Sequence, residues 1–197
     1  PHTLLFVGPS GCGKTTLARI LKKKLACSDT DFCEVNCADF NGIAMVRDVR
    51  SRISLAPVAG PCRIWLIDEC HQLTNDAQDA FLKILEDTPS HVYFFLATTN
   101  PQKLKATIRT RSTEIKVESL SAADAQTMLA DVAGREGVEI GDKVLAKIAD
   151  CCDGSARKAL VLLHQVMGLA DEATQIDTIE KADTKRQAIE LARALMN

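Results

Sequence analysis

The chain has 197 residues, with 24 basic against 26 acidic side chains and a formal net charge of −2. At 46% hydrophobic and 25% charged it has the make-up of a globular chain long enough to bury its own core, which sets aside disordered, collagen-like and disulfide-stapled classes. No apolar run approaches the ~20 residues of a membrane-spanning helix, the N-terminus lacks a signal-peptide layout, and the near-balanced charge argues against a chain that coats nucleic acid while leaving room for a local basic surface.

The first half alternates short apolar runs with amphipathic stretches. Residues 4–7 (Leu-Leu-Phe-Val) read as a buried strand ending at Gly8. Residues 15–26 carry Leu17, Ile20, Leu21 and Leu25 at helical spacing, with Lys22, Lys23 and Lys24 at the polar edge. A second strand is expected at 32–36, a helix at 43–55 on Ile43, Val46, Val49 and Ile53, and a strongly apolar strand at 63–68. A helix over 74–86 follows, with Thr74 as N-cap, then strands at 92–98 and 114–117. Strands alternating with helices imply βαβ crossovers, so the expected fold is α/β: a three-layer α/β/α domain around a parallel five-stranded sheet. After residue 118 only helices are expected, over 121–136, 142–152 and 155–169, then a polar linker at 171–182 and a last amphipathic helix at 184–196. Charge divides at the same place, with 15 basic and 13 acidic side chains over residues 1–118 but 9 and 13 over 119–197.

The strongest chemical signal is Gly8-Pro9-Ser10-Gly11-Cys12-Gly13-Lys14-Thr15, which fits G-x-x-x-x-G-K-[ST] between a strand and a helix. The glycines let the backbone wrap phosphates with its N–H groups, and the helix start adds partial positive charge. Lys14 is expected to reach the β and γ phosphates and Thr15 to hold Mg²⁺. The second signal is the apolar strand Ile64-Trp65-Leu66-Ile67 ending in Asp68-Glu69. Asp68 is expected at the Mg²⁺ and Glu69 on the attacking water. Together the two motifs make ATP binding, with hydrolysis, the expected chemistry.

Several further segments carry a resemblance: Asp68-Glu69-Cys70-His71, Phe81-Leu82-Lys83-Ile84-Leu85-Glu86, Leu96-Ala97-Thr98-Thr99-Asn100-Pro101-Gln102-Lys103-Leu104 and Gly154-Ser155-Ala156-Arg157-Lys158-Ala159-Leu160. In these the chain resembles the clamp-loader ATPases of the AAA+ superfamily, above all the bacterial DNA polymerase III gamma/tau family, with replication factor C relatives next. The resemblance runs from about residue 4 to 166. It implies an ATPase core at 1–118, a three-helix lid at 119–170, and a linker with the first helix of a collar domain at 171–197. It implies that Thr99 is a sensor of the γ-phosphate or water, with Thr98 and Asn100 as competitors. Arg111 becomes an arginine finger acting in trans on a neighbour's ATP, with Arg109 as its competitor. Arg157 becomes a second sensor of the chain's own ATP, and Thr16 joins the residues lining the nucleotide. Asn36 becomes the residue that holds Glu69 away from water until a ring assembles. The implied partners are other clamp-loader subunits in a ring, a sliding clamp, and primer-template DNA gripped by its backbone, for which Arg47 and Arg50 are candidates. No membrane partner is implied.

The departures are specific. The gamma/tau family carries a four-cysteine zinc module after the first helix, whereas this chain has Cys27, Cys33 and Cys37 there, short of the paired spacing and ligand number of structural zinc. Free thiols in a reducing cytoplasm, without zinc, are the expectation for the eight cysteines. Ser112 stands where the family's Ser-Arg-Cys motif has cysteine. The chain begins two residues before its first strand, without Met, and stops one helix past the lid, which suggests an excised fragment or a compact relative. Two other readings remain: a nucleotide-gated structural subunit with little turnover, and a DExH-type helicase fragment suggested by Asp68-Glu69-Cys70-His71. A helicase of that type needs a second RecA-like domain, for which residues 119–170 leave no room.

Overall fold

In the computed structural model, five parallel strands form one sheet: β1 (Thr3–Val7), β2 (Phe32–Asn36), β3 (Arg63–Asp68), β4 (Val92–Thr98) and β5 (Thr113–Lys116), in the order β2-β3-β4-β1-β5. The description covers residues 1–169 and 171–196, with side chains described to residue 185. The chain divides into two units, Pro1–Glu118 and a helical one beginning at Ser119.

In the first unit the period-two alternation of buried strands decides the layers. Leu5, Trp65, Ile67, Phe94 and Leu96 face one side, where they meet Val46 and Val49 of α2 (Ile43–Ile53) and Phe81 of α3 (Asn75–Glu86). Phe6, Ile64, Leu66, Phe95 and Ala97 face the other and meet Ala18 of α1 (Lys14–Lys24). Both layers are dry, with Leu5, Phe6, Ile64 and Phe94 fully inaccessible. The helix over Asn75–Glu86 starts where Thr74 accepts the Ala77 N–H at 3.3 Å, as its N-cap position predicts. A short helix α4 (Ala106–Thr110) precedes β5. Because every strand runs the same way, the ends of β1, β2, β3 and β4 lie along one edge of the sheet. The α/β/α layering and parallel sheet expected from the alternation are what the structure contains.

The second unit is helical: α5 (Ala122–Arg135), α6 (Asp142–Cys151), α7 (Ala156–Val166) and α8 (Glu172–Met196). Its core gathers Leu129, Val144, Ile148, Cys152, Leu163, Val166 and Ile179. The stretch expected as a polar linker at 171–182 is instead helical from Glu172, the first part of α8. The reason is a narrow apolar stripe of buried Ile179 with Ile176 and Ala182 partly buried, beside a buried Gln175 whose Nε2 donates to Val166 O at 3.3 Å and Leu169 O at 3.1 Å. Asp171 caps the start, accepting the Thr174 N–H at 2.8 Å and its hydroxyl at 2.6 Å. The helix expected over 184–196 is the second part of α8, and its amphipathic face beyond residue 185 lies outside the described side chains. Among the described residues no helix is long and apolar enough to cross a membrane.

Candidate functional site

The site is built where the strand ends meet. Gly8 follows β1, and its N–H still bonds Thr98 O on β4 at 3.3 Å, so the loop starts pinned to the sheet. A Cβ on Gly8 would lie 2.1 Å from the Val117 carbonyl oxygen and 2.9 Å from Cys12 Sγ, so only glycine fits. Pro9 and Ser10 are exposed, Gly11 turns at φ 76, Cys12 is buried beneath the loop, and Gly13 takes φ 99 as the N-cap of α1. Gly13 offers no side-chain cap, and no acid sits in the first turn, so the first N–H groups of α1 face the loop without a competing carboxylate. Thr16 is exposed in that turn.

Lys14 is only 6% exposed, and its Nζ donates to Gly8 O at 2.9 Å and Pro9 O at 2.8 Å. The ammonium thus arches across the loop and holds its span open. An ammonium has three N–H donors, so two bonds to carbonyls leave one for an anion. Thr15 Oγ1 donates to Asp68 Oδ2 at 3.0 Å. Two hard oxygens, 53 residues apart in sequence, therefore converge beside the loop, the donor set that Mg²⁺ prefers. The residues present fit a triphosphate with its metal: amides and an ammonium for the phosphates, a hydroxyl and a carboxylate for the cation.

Beyond Asp68 the chain turns sharply. Glu69 adopts φ 49 and ψ 41, the left-handed region, and donates its N–H to Asp68 Oδ1 at 2.9 Å. That turn lifts its carboxylate off the line of β3. Glu69 Oε2 accepts from Thr99 Oγ1 at 3.3 Å and lies 3.3 Å from His71 Nδ1. Of the three neighbours considered, Thr99 is the exposed one that reaches Glu69. Thr98 is fully buried, and its hydroxyl accepts the Asn100 N–H at 3.0 Å. Behind the acids, Cys37 donates its N–H to Asp68 O at 2.9 Å; burial, then the charges of Asp68 and Glu69, push its thiol up to about 12.

The other expected site residues are placed less centrally. Asn36 is opposite Asp68 in the β2–β3 register, but its side chain serves its own turn, donating to Asp39 Oδ2 and accepting the Ala38 N–H, each at 3.0 Å. Arg111 caps α4 and pairs with Glu86 at 2.5 Å, while Arg109 lies 3.9 Å from Glu114 with its Nε buried and unbonded. Arg157 is exposed in the first turn of α7, in the second unit. Cys27 and Cys37 belong to the apolar layers on opposite faces of the sheet, and among the described residues no three of His, Cys, Asp or Glu gather as a metal site. The residue that sequence reasoning passed over is His71, which was only part of a motif; nothing in the spacing says that its ring reaches both Glu69 and Thr98.

A family model described as "ATPase family associated with various cellular activities (AAA)" matches residues 4–119, which span the loop, both acids and Thr99. The chain belongs to this AAA family. Among curated proteins it is similar to the DNA polymerase III subunit gamma/tau of Mycobacterium tuberculosis H37Rv, 34% identical over 86% of this chain and 34% of that protein. It is also similar to the subunit tau of Bacillus subtilis 168, 30% identical over 89% and 35%, and to that of Escherichia coli K12, 32% identical over 86% and 30%. The chain thus spans about a third of the length of these relatives. Among solved structures, a Thermotoga maritima RuvB Holliday junction branch migration motor superposes with a TM-score of 0.72 at 24% identity, over 91% of this chain and 60% of that one. That likeness is one of fold: the AAA α/β unit with its helices.

Proposed function

We propose that this AAA chain is the motor portion of a clamp-loader subunit, binding ATP at residues 8–16 and hydrolysing it within a ring of subunits. One observation carries the reading: Thr15 and Asp68 meet at 3.0 Å beside the Lys14 loop, with Glu69 held by Thr99 on the same sheet edge. The similarity to gamma/tau subunits supplies the biological setting.

In this reading the amides of residues 8–15 and the Lys14 ammonium grip the phosphates. Thr15 and Asp68 would hold a Mg²⁺, which when bound would neutralise phosphate charge. Glu69 takes a proton from a water as the water attacks the γ-phosphorus; the bond to the β–γ bridging oxygen breaks, giving ADP and phosphate. Thr99, adjacent to Glu69, senses the γ-phosphate or that water. Arg111 of one subunit stabilises the transition-state charge on ATP held by the next, and Arg157 reads the chain's own nucleotide. Asn36 restrains Glu69 before assembly, which requires its side chain to leave Asp39. The implied cycle uses ATP binding to open a sliding clamp, primer-template DNA to align the sites, and hydrolysis to release the clamp, in the cytoplasm.

The test measures ATP binding and turnover together in the full-length protein with its partner subunits, for the native chain and Glu69→Gln. The reading expects Glu69→Gln to bind ATP normally and to lose at least about 100-fold in turnover. It also expects clamp and primed DNA to stimulate the native rate. Tight binding with no turnover in the native complex would replace the motor with a nucleotide-gated structural subunit, and failure to bind ATP would remove both.

A further inference from the structure

We infer that His71 is a positioning residue for the Glu69 carboxylate, selecting which of its two oxygens serves the attacking water; the inference rests on the role proposed above for Glu69. The ring is held in a half-closed niche, its side chain 11% exposed, on a short 3-10 turn, Cys70–Gln72, that begins at the left-handed Glu69. Cys70 (1% exposed) and Leu73 (4%) anchor that turn in the core, and Gln72 N–H closes it on Glu69 O at 2.9 Å. The ring therefore has little freedom of its own.

Its Nδ1 lies 3.3 Å from Glu69 Oε2 and 3.1 Å from Thr98 Oγ1. An ionised carboxylate offers acceptors only, so a bare Nδ1 lone pair at that distance would set two acceptors against each other. The proton therefore sits on Nδ1 and is donated to the Thr98 hydroxyl oxygen, while the Glu69 carboxylate 3.3 Å away is drawn to the same positive edge of the ring. Thr98 is fully buried at the end of β4 and is itself fixed by the Asn100 N–H, so the ring is braced against the sheet. Thr99 Oγ1 donates to the same Oε2 at 3.3 Å. The Thr99 hydroxyl bond and the positive edge of the His71 ring, from two different segments, thus converge on one oxygen. Oε2 is clamped and Oε1 becomes the oxygen that takes the water's proton. The clamp also has a direction. Thr99 leaves Oε2 whenever it turns to a γ-phosphate, while His71 stays, so the carboxylate keeps its orientation as its sensor moves.

The test compares His71→Leu and His71→Asn in the full-length protein with its partner subunits, reading ATP affinity, kcat and the thermal midpoint. Asparagine places an N–H where Nδ1 was, whereas leucine fills the space without a donor. The expected result is a kcat lowered roughly 10- to 100-fold in His71→Leu with ATP affinity within about twofold, and most of the rate restored in His71→Asn. In a Glu69→Gln background the His71→Leu change should add little, because the group it aims is gone. Equal losses in both His71 variants, or losses of kcat that multiply with Glu69→Gln, would overturn the proposal, as would a weakened ATP affinity or a lowered thermal midpoint that accounts for the rate. If Glu69→Gln alone leaves kcat unchanged, it is the catalytic reading of Glu69 that fails, and the His71 inference falls with it.

Discussion

The Arg63 guanidinium and the Asp31 carboxylate form an ion pair at 3.1 Å in the interior of the first unit, their side chains 8% and 0% exposed. The pair is fully surrounded. Asp31 also accepts the N–H groups of Val58 and Ala59 and the Ser28 hydroxyl, while Arg63 donates to the carbonyls of Arg52, Leu55 and Ala56. It thereby ties the end of α2 and the 54–62 loop to the first residue of β3, the strand that delivers Asp68 and Glu69. Removing one partner leaves the other charge buried and unpaired, which costs about 3–5 kcal/mol. Asp31→Ala should lower the unfolding free energy by that amount in urea melts of the first unit, and Arg63→Met should do the same.

The same pair sets an acid limit. Burial raises the Asp31 pKa, but the amides of Ala59 and Val58, the Ser28 hydroxyl and Arg63 outweigh it and hold the carboxyl well below the usual range. A depressed folded pKa stabilises the fold above the unfolded value of about 3.9. That contribution is lost as pH falls below it towards the folded value. Urea melts should show this contribution constant between pH 5 and 7 and declining below about pH 4, and Asp31→Asn should remove that decline.

Cys37 sets the opposite limit. Its thiol, pushed up to about 12, stays protonated in the folded protein where an unfolded thiol ionises near 8.5. Its share of stability is present below about pH 8.5 and is lost as pH rises through the folded value. Iodoacetamide at pH 8 should label Cys37 in urea-unfolded protein and leave it unlabelled in the native state over the same time, as read by peptide mass spectrometry. Rapid native labelling would mean that the layer behind the acids opens.

Sequence reasoning recovered what depends on neighbours along the chain. Strand runs, the Thr74 cap and the Gly8–Thr15 strand–loop–helix turn are local signals, and the structure realises each of them. What it missed depends on partners far apart or on stripes too thin to see. The helix at Ala106–Thr110 is too short to show a period. The start of α8 carries few buried positions amid polar ones, so its composition imitates a linker. The Asp31–Arg63 pair, 32 residues apart, and the His71–Thr98 contact, 27 apart, exist only once the sheet has aligned their strands. The acid pair is legible because an apolar strand ending in two carboxylates is a local pattern. The approach of the His71 ring to Glu69 is not, because it is a distance between side chains.

Gly8 marks where the loop and the sheet are most tightly joined. Any Cβ there would meet the Val117 carbonyl oxygen at 2.1 Å, and that oxygen is backbone held by the Val117 N–H bond to Val7 O at 2.7 Å. The clash cannot be relieved by rotating a side chain, so β1 and the end of β5 must part or the loop must move. Gly8→Ala should weaken ATP binding at least about tenfold in equilibrium dialysis, a loss of about 1.4 kcal/mol, and lower the thermal midpoint of the first unit. Gly42→Ala, where a Cβ meets nothing within 4 Å, serves as the control for ATP binding.

Arg111 faces a choice between partners. In this chain its guanidinium pairs with Glu86 at 2.5 Å and donates to Thr107 O at 3.3 Å, with the side chain 39% exposed. An exposed pair of this kind contributes about 0–1 kcal/mol, so in the trans role proposed for Arg111 leaving Glu86 would cost little against the several kcal/mol that fixed positive charge supplies at a phosphoryl-transfer transition state. If Arg111 acts in trans, Arg111→Ala should leave the basal ATPase of the isolated chain unchanged and cut the stimulated rate of the assembled ring about 100-fold or more. Lysine should not substitute, because it lacks the planar fork. Glu86→Gln should leave the ring at least as active as the native one, since it only loosens the resting contact. A ring whose stimulated rate survives Arg111→Ala but falls with Arg109→Ala would hand the finger to Arg109, whose Nε is buried without a hydrogen-bond partner and whose guanidinium lies 3.9 Å from Glu114.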